Sequence, residues 1–184
     1  MAIKKTPVLE TNRLLLRCFE DADAPRVAEL AGHEDIAART LNIPHPYNRE
    51  HAEMFIQFSQ GEMQMGSGYN FAIVQQADRA LVGCIGLTLD RRHQHAELGY
   101  WLGVPYWNKG YTTEASIRAI QFGFEELSLH RIFAQFFTSN PASGRVMEKA
   151  GMHYEGTMRG HYVRFGTHYD VGIYGLLRED YLNR

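Results

Sequence analysis

The sequence predicts a mixed α+β domain built around a strongly twisted sheet, and three observations support this. Strand-like and helix-like segments alternate along the 184 residues without a repeat, a low-complexity segment or a domain boundary. The middle of the chain holds consecutive strand-like segments that are typical of an antiparallel hairpin and a neighbouring strand. A helix then joins the last of these strands to another one, and a helical crossover favours parallel pairing. We therefore expect one domain over residues 1–184, with a mostly antiparallel sheet that contains one parallel pair.

The N-terminal part of the chain combines one strand with helices. Asp23 is a plausible cap of the first helix, and Pro25 suits its first turn because proline has no N–H to lose there. Prolines interrupt the chain before a longer helix, which Asn48 can cap. In order, the predicted segments are a strand over residues 13–18, helices over 21–32 and 33–40, a break at 44–47, and a helix over 48–64.

The remainder of the chain is richer in strands. Its predicted segments are a hairpin over residues 69–75 and 80–89, a strand over 96–102, a helix to about residue 126, a strand over 130–137, a helix over 140–150, and a long hairpin over 154–177 that turns at 165–167. The apolar residues of the first of these helices predict its buried face, namely Ala115, Ile117, Ile120, Phe122 and Phe124.

The composition excludes several classes of protein. A formal net charge of −2 argues against a dedicated nucleic-acid binder, and no apolar run approaches the length of a membrane span. Residues 1–5 carry two lysines without the apolar segment of a signal peptide, so we expect none. Cys18 and Cys84 are too few for a disulfide framework, which predicts a reducing, cytoplasmic location.

Residues 107–115, Trp-Asn-Lys-Gly-Tyr-Thr-Thr-Glu-Ala, form the most informative segment of the chain. They follow a predicted strand and open a predicted helix, so several backbone N–H groups at the helix start lack an intrahelical partner. Together with the positive end of the helix dipole, these donors can bind a phosphate group. A lone glycine such as Gly110 is also an ordinary turn residue. The spacing matches neither a P-loop nor a Gly-x-Gly-x-x-Gly fingerprint.

Three segments together closely resemble the GNAT superfamily of acetyl-CoA-dependent N-acetyltransferases. They are residues 97–102 (Glu-Leu-Gly-Tyr-Trp-Leu), residues 106–115, and residues 140–152 (Asn-Pro-Ala-Ser-Gly-Arg-Val-Met-Glu-Lys-Ala-Gly-Met). The resemblance covers nearly the whole chain and is greatest to the RimJ/RimL branch, whose members acetylate the N-terminal amines of ribosomal proteins. It implies the GNAT fold, acetyl-CoA as cofactor, and two parallel strands that splay apart to admit the pantetheine arm.

The resemblance also assigns residues to the cofactor. The family's pyrophosphate motif, Gln/Arg-x-x-Gly-x-Gly/Ala, falls on residues 107–112, and Trp107 and Thr112 depart from it at its two ends. Because backbone N–H groups bind the pyrophosphate, these departures weaken the match little. In the family the preceding strand pairs with the pantetheine arm, an Asn at the last helix contacts that arm, and a backbone N–H near Leu102 would polarise the thioester oxygen. The cofactor-binding residues implied are Tyr100, Trp101, Leu102, Asn108, Lys109, Gly110, Tyr111, Thr112, Thr113 and Asn140.

Glu97 is the candidate general base. Attack on a thioester needs a neutral amine, whereas a free amine is mostly protonated at neutral pH, and a carboxylate can remove that proton directly or through water. By periodicity alone Glu97 is equally the outward polar residue of an alternating strand, with Ala96, Leu98, Tyr100 and Leu102 inward. The resemblance favours the base, because related enzymes place a glutamate with this role on this strand.

The sequence leaves two candidates for the general acid that protonates the leaving thiolate. Asn140 and Ser143 stand at a helix start, where both residue types are ordinary caps. Many relatives carry a Tyr seven positions after the Asn, and that Tyr protonates the leaving thiolate. The present chain has Met147 there, which has no proton to donate. Ser143 or a water molecule is therefore the candidate acid.

Other polar and aromatic residues give weaker indications. The nine histidines show no recognisable ligand spacing, so we expect no metal site. Three tyrosines are candidates to line the acceptor cleft, namely Tyr47, Tyr69 and Tyr162.

These observations predict a cytoplasmic N-acetyltransferase that uses acetyl-CoA by direct transfer in a ternary complex. Neither cysteine lies in the motif region, so no covalent acyl-enzyme is expected. The predicted acceptor is a protein N-terminal α-amine of the ribosomal-protein type. The alternative is a small-molecule amine such as a polyamine, amino sugar, amino acid or toxic amine. An open cleft suits a peptide, and a closed one suits a small amine. A module that binds acyl-CoA without catalysis is the third possibility. We expect no nucleic acid or membrane partner, and a monomer or homodimer.

Overall fold

The computed structural model describes residues 6–183, so the expectation about a signal peptide lies outside the described residues. In chain order its elements are β1 (Leu9–Glu10), β2 (Leu14–Cys18), α1 (Ala24–Ala31), α2 (Glu34–Ala37), α3 (Arg49–Met65), β3 (Gly68–Gln75), β4 (Leu81–Asp90), β5 (His95–Leu102), α4 (Tyr111–Glu125), β6 (Arg131–Phe137), α5 (Pro141–Lys149), β7 (His153–Arg164), β8 (Thr167–Leu177) and α6 (Arg178–Leu182). Short 3-10 turns precede α1 and follow β5.

The strands form one mixed sheet in the order β1-β2-β3-β4-β5-β6-β8-β7. Among the described residues, β5 and β6 are the single parallel pair, and every other neighbouring pair is antiparallel. The predicted α+β fold, with one parallel pair in a mostly antiparallel sheet, is therefore confirmed.

The parallel pair is short. Strands β5 and β6 are paired from His95↔Arg131 to Glu97↔Phe133 and then part. Past that point β5 stays paired with β4 as far as Leu102, and β6 stays paired with β8 as far as Phe137. The sheet therefore opens between β5 and β6 while each strand remains fully paired on its other side.

Two apolar clusters pack on opposite faces of the sheet. In β3, Phe71 and Ile73 join the cluster beneath α4, and Ala72 and Val74 join the cluster beneath α1 and α3. This division follows from the alternation of side chains along a strand. The sheet is thus covered on both faces, and the gap between β5 and β6 lies between the two layers of helices.

The buried face of α4 was predicted correctly except at one position. Ala115, Ile120, Phe122 and Phe124 are buried, whereas Ile117 is 50% exposed. Two residues along a helix correspond to a rotation of about 200°. Ile117 therefore faces away from the sheet when Ala115 faces it, and its prediction as a core residue was wrong.

Of the two predicted helix caps, one is present and one is absent. The Asn48 side chain accepts a hydrogen bond from the His51 N–H (3.1 Å) and caps α3 as expected. Asp23 does not cap α1. Its carboxylate instead accepts from the Glu20 N–H (2.8 Å) and from the guanidinium of Arg17 (2.7 Å), which steadies the 3-10 turn before the helix.

Two further observations bear on the sequence expectations. Cys18 and Cys84 are both free thiols. Within the part of the chain that the structure describes, no helix is long and apolar enough to cross a bilayer.

Candidate active site

Two clefts adjoin the gap between β5 and β6. The larger cleft, of about 540 Å³, lies among α3, residues 39–44, the middle strands and the β7–β8 hairpin. The smaller cleft, of about 340 Å³, lies between the turn before α4 and the start of α5. The two clefts share the lining residues Arg39, Thr40, Tyr100, Trp101 and Ser143. They are therefore continuous, and they meet where β5 and β6 have parted.

The turn before α4 presents backbone donors to the smaller cleft. Asn108 and Gly110 both adopt left-handed backbone conformations, with φ of 60° and 78°. Gly110 precedes α4 without a side-chain cap, and the Glu114 N–H makes the bond to the Gly110 carbonyl that opens the helix. The N–H groups of the first helical turn, residues 111–113, therefore remain available to an anion. All three residues line the smaller cleft.

The turn is braced from behind by Arg13 at the start of the β2 region. Its Nε donates to Glu114 Oε2 (2.7 Å), and its Nη1 donates to the Lys109 carbonyl (3.0 Å). The Glu114 carboxylate also accepts from the hydroxyl of Thr11 (2.6 Å). Partial burial opposes ionisation of Glu114, but the Thr11 hydroxyl together with the backbone N–H and the guanidinium of Arg13 holds its pKa below the ordinary value. Because charge-assisted bonds of this kind are short and directional, they fix the turn to the edge of the sheet.

Trp107, which departs from the family pattern, has a structural role. Its indole Nε1 donates to the Leu102 carbonyl (2.6 Å), and its ring lies beneath the Arg39 guanidinium at 5.0 Å. The indole thus closes the connection between β5 and the turn. It also satisfies a strand carbonyl that has no partner strand on that side.

The free edge of β5 carries the other predicted cofactor contacts. The Gly103 N–H donates to the Val82 carbonyl, so by alternation Trp101 directs its backbone toward β4. The backbone groups of Tyr100 and Leu102 face the gap instead. Trp101 contributes its side chain, which lines both clefts.

Glu97 lies in the wall of the larger cleft, at the last paired position before β5 and β6 part. Ala96, Leu98 and Leu102 are buried in the opposite apolar cluster, as the alternation predicted. Over residues 6–183 no hydrogen bond or ion pair engages its carboxylate, and burial raises its pKa above the ordinary value. A half-buried carboxylate without a partner has the properties of a proton acceptor rather than of a structural ion pair.

Ser143 stands opposite Glu97's strand and is joined to it through Tyr100. The Tyr100 hydroxyl donates to the Ser143 carbonyl (3.0 Å), and its oxygen also lies 3.0 Å from Ser143 Oγ. Burial raises the pKa of Tyr100, so its hydroxyl stays protonated. Met147 is 1% exposed and borders the larger cleft, so the tyrosine position of many relatives is occupied here by an apolar wall.

Asn140 lies at the start of α5 without capping it. Its side chain makes no capping bond, and the Ser143 N–H is satisfied by the Asn140 carbonyl instead (3.1 Å). Asn140 lines the smaller cleft, so its amide is available there. Lys109, in contrast, lines neither cleft. Its Nζ lies 5.4 Å from the ring of Tyr106.

Two of the three tyrosines that were predicted to line the acceptor cleft do so. Tyr47 and Tyr162 line the larger cleft, but Tyr69 is 2% exposed and packs edge-on against Phe122, so its prediction as a cleft residue was wrong. Cys84 also borders the larger cleft, yet it is buried and its thiol pKa is raised by that burial. Among residues 6–183, no three His, Cys, Asp or Glu side chains are grouped to hold a metal ion.

Two features of the site were not predicted from the sequence. The Arg13–Glu114 contact joins residues 101 positions apart, and neither motif nor periodicity pairs them. The role of the Tyr100 hydroxyl was also missed, because the family pattern involves only the backbone of that strand. The signal that was available is the hydroxyl of Tyr100 itself, within the strand that the resemblance assigns to the cofactor.

Comparison with known proteins decides the family. The model of the acetyltransferase (GNAT) domain matches residues 13–153. The chain belongs to the GNAT family. It is therefore an N-acetyltransferase, and the predicted use of acetyl-CoA as the acetyl donor is confirmed.

Individual relatives agree with this assignment. The chain is 32% identical over 173 residues to YoaA of Bacillus subtilis (strain 168), named an uncharacterized N-acetyltransferase, and the match covers 94% of this chain and 97% of YoaA. It is 24% identical over 174 residues to the spermidine N(1)-acetyltransferase of Vibrio cholerae, with 94% and 98% covered.

Solved structures share the fold. A GNAT-family acetyltransferase from Bacillus anthracis superposes with a TM-score of 0.85 at 29% identity, over 94% of this chain and 99% of that one. RimL, the ribosomal L7/L12 α-N-protein acetyltransferase solved with coenzyme A, gives a TM-score of 0.87 at 17% identity, over 95% and 99%. At 17% identity, the likeness to RimL shows a shared fold alone.

The brace behind the turn leads to a prediction about acetyl-CoA. Replacing Arg13 by Ala removes its side-chain bonds to Glu114 and Lys109 and leaves only the backbone N–H bond to Glu114, so the backbone donors of the turn are held less firmly. We expect the KM for acetyl-CoA to rise about fivefold with little change in kcat, since loss of charge-assisted bonds is partly screened at this half-exposed site. Steady-state kinetics with varied acetyl-CoA measure this.

Arg118→Ala is the matched control, because its contact with Glu126 (3.4 Å) lies at the far end of α4. An Arg13→Ala enzyme with an unaltered KM for acetyl-CoA would show that the turn needs no brace.

Proposed function

We propose that this enzyme transfers the acetyl group of acetyl-CoA directly to a primary amine that enters the larger cleft. The observation that carries the proposal is the position of Glu97, an unpaired carboxylate in that cleft at the point where β5 and β6 part. The smaller cleft holds the nucleotide side of the cofactor in this proposal. The reacting groups then meet at the shared residues Tyr100 and Ser143.

The residues of the smaller cleft fit the cofactor. The backbone N–H groups of residues 111–113 suit a pyrophosphate, because their helix start has no side-chain cap to compete. The outward backbone groups of Tyr100, together with the amide of Asn140, suit the amide groups of a pantetheine arm. Acetyl-CoA supplies a thioester, whose carbonyl carbon is the electrophile.

Glu97 takes the proton that the acceptor amine must lose. Before attack, one proton passes from the ammonium group to Glu97. The C–N bond then forms as the C–S bond breaks, the sulfur leaves with its electron pair, and the second proton that the nitrogen must lose passes to water. The raised pKa of Glu97 brings its basicity closer to neutral pH, where a base works most efficiently. Its unpaired state leaves both carboxylate oxygens open to the amine or to one bridging water.

Ser143 is the proposed donor of a proton to the departing sulfur. Its hydroxyl lies at the junction of the two clefts and against the Tyr100 hydroxyl, so it can be resupplied through that contact or from solvent. Met147 cannot share the task. The backbone N–H of Leu102, which faces the gap, is the proposed donor to the thioester oxygen.

A covalent acetyl-cysteine does not suit the site. Cys84 is the cysteine that borders the larger cleft, and burial raises the pKa of its thiol. A thiol rather than a thiolate is a poor nucleophile. Direct transfer in a ternary complex therefore fits the residues better. Two free cysteines also fit the cytoplasm, which is where we place the enzyme.

The acceptor side of the site favours a small amine over a protein N-terminus. Arg164, near the tip of the β7–β8 hairpin, donates to the carbonyls of Ala37 (3.2 Å), Leu41 and Ile43. These bonds tie residues 37–43 across the acceptor side, and residues 39–43 form part of the cleft wall. The sequence resemblance to the RimJ/RimL branch supports a protein N-terminus, but an extended peptide needs an open groove where this tied segment lies.

The first prediction concerns the base. Glu97→Gln is expected to lower kcat/KM for an amine by about 100-fold or more near neutral pH. The loss of kcat/KM relative to the wild-type enzyme is largest at pH values between the raised pKa of Glu97 and the pKa of the amine, which is about 10 for an alkylamine. Above the amine's pKa the substrate arrives neutral, so the variant recovers. The pH dependence of kcat/KM measures this.

Glu62→Gln serves as the control, because burial raises the pKa of Glu62 too, although it does not line the cleft. If the Glu97→Gln enzyme keeps the wild-type pH profile, Glu97 is not the base.

The second prediction concerns the leaving group. Ser143→Ala is expected to lower kcat by about tenfold or more, without a matching rise in the KM for acetyl-CoA, because a proton donor to sulfur acts mainly in the transition state. Tyr100→Phe should lower kcat less, since it removes only the neighbouring hydroxyl. Unchanged turnover of Ser143→Ala would remove Ser143 from the mechanism.

The third prediction concerns the acceptor. Wild-type enzyme is expected to acetylate small primary amines with kcat/KM about tenfold or more above that for short peptides with free N-termini, because the segment tied by Arg164 lies where the longer chain would extend. Arg164→Ala should narrow this ratio by releasing residues 37–43. Arg159→Ala, on the exposed part of the same strand, is the control. A wild-type preference for peptides would contradict the assignment.

A further inference from the structure

The larger cleft carries little charge. Over the described residues, Glu97 is the one Asp or Glu that lines it, and the one Lys or Arg is Arg39, at the junction with the smaller cleft. Glu62 contacts the lining residue Asn70 (3.3 Å) from behind but does not itself line the cleft. A bound amine therefore meets one carboxylate, and that carboxylate is the proposed base.

Aromatic rings form much of the remaining wall on two sides. Tyr47, Phe55 and Phe58 lie on the helix side, and Phe136, Phe137 and Tyr162 lie on the side of β6 and the hairpin. Several of these rings are held by neighbours. Phe55 packs edge-on against Phe19 at 5.3 Å between centroids, Phe137 lies 4.7 Å from Tyr169, and the Tyr162 hydroxyl donates to Gln135 (3.3 Å).

This lining determines which acceptor amines bind favourably in the larger cleft. A second ammonium group within the cleft would leave water without gaining a carboxylate, and the nearest fixed charge available along the walls is the cation of Arg39. An apolar or aromatic substituent gains from burial against the rings. The walls therefore discriminate against polycations and in favour of apolar groups.

We propose that the acceptor is a primary monoamine whose substituent is apolar or aromatic, and that polyamines are poor substrates. The proposal rests on the proposed function, because it takes the larger cleft as the acceptor site. It separates this enzyme from its relative that is named for spermidine, although the two chains match over nearly their whole length.

An isosteric pair of amines tests the proposal on the wild-type enzyme. n-Hexylamine and cadaverine have the same number of heavy atoms, and they differ in ending with a methyl or a second amino group. We expect kcat/KM to be about tenfold or more higher for n-hexylamine, because the cleft leaves the second ammonium unpaired. Phenethylamine should be acetylated at least as well as n-hexylamine. Spermidine should be a poorer substrate than either.

A single substitution should weaken the preference for n-hexylamine over cadaverine. Gln135 lines the cleft and accepts from Tyr162, so Gln135→Glu adds a second carboxylate of the same shape and keeps that hydrogen bond. We expect the variant to reduce the n-hexylamine to cadaverine ratio by about tenfold. Gln57→Glu makes the same charge change on an exposed position of α3 outside the cleft, and it should leave the ratio as in the wild type.

The outcomes separate the two proposals. Equal or better acetylation of cadaverine or spermidine by the wild-type enzyme would overturn the monoamine proposal and leave acetyl transfer standing. An n-hexylamine to cadaverine ratio that Gln135→Glu does not alter would overturn the monoamine proposal as well, since the charge of the cleft would then not determine which amine is preferred. Binding of acetyl-CoA without transfer to any of these amines or to peptides would overturn the proposed function itself.

Discussion

The parting of β5 and β6 is the constraint on which the rest of the site depends. Both strands remain paired on their outer sides, so the opening is confined to the middle of the sheet, after Glu97. It exposes one edge of β5, whose backbone groups need partners other than a strand. The Trp107 indole satisfies one of them, at the Leu102 carbonyl. The opening also makes the two clefts continuous, and under the proposed function an amine in one cleft would meet a thioester in the other.

The surroundings of the opening fix it in place from both sides. Arg13 and Glu114 hold the turn against the sheet edge, and the Tyr100 hydroxyl holds the start of α5 beside β5. Arg164 ties the segment that covers the acceptor side. In the proposed mechanism the bonds of Arg13 and Arg164 position the reacting groups, whereas the Tyr100 hydroxyl also adjoins the proposed proton donor, Ser143. Holding two substrates in the right geometry converts a bimolecular reaction into an effectively unimolecular one within the complex.

The sequence predicted the topology well, because alternation, turns and a helical crossover are local signals. It also placed Glu97 on the correct face of β5. Errors arose where burial depends on distant partners. Ile117 has the residue type of a core position but lies on the outer side of α4, and Tyr69 is in the core because Phe71 and Phe122 surround it. The Arg13–Glu114 brace and the single-acid lining of the larger cleft arise from chain segments far apart, which no motif brings together.

A crystal structure of the enzyme with acetyl-CoA would show whether the gap between β5 and β6 receives the cofactor. We expect pyrophosphate oxygens within hydrogen-bonding distance of the N–H groups of residues 111–113, and the thioester in the gap, beside Tyr100 and Ser143 with Glu97 across the junction. A pyrophosphate held only by side chains such as Lys109 and Arg145, or a thioester away from the gap, would contradict this expectation.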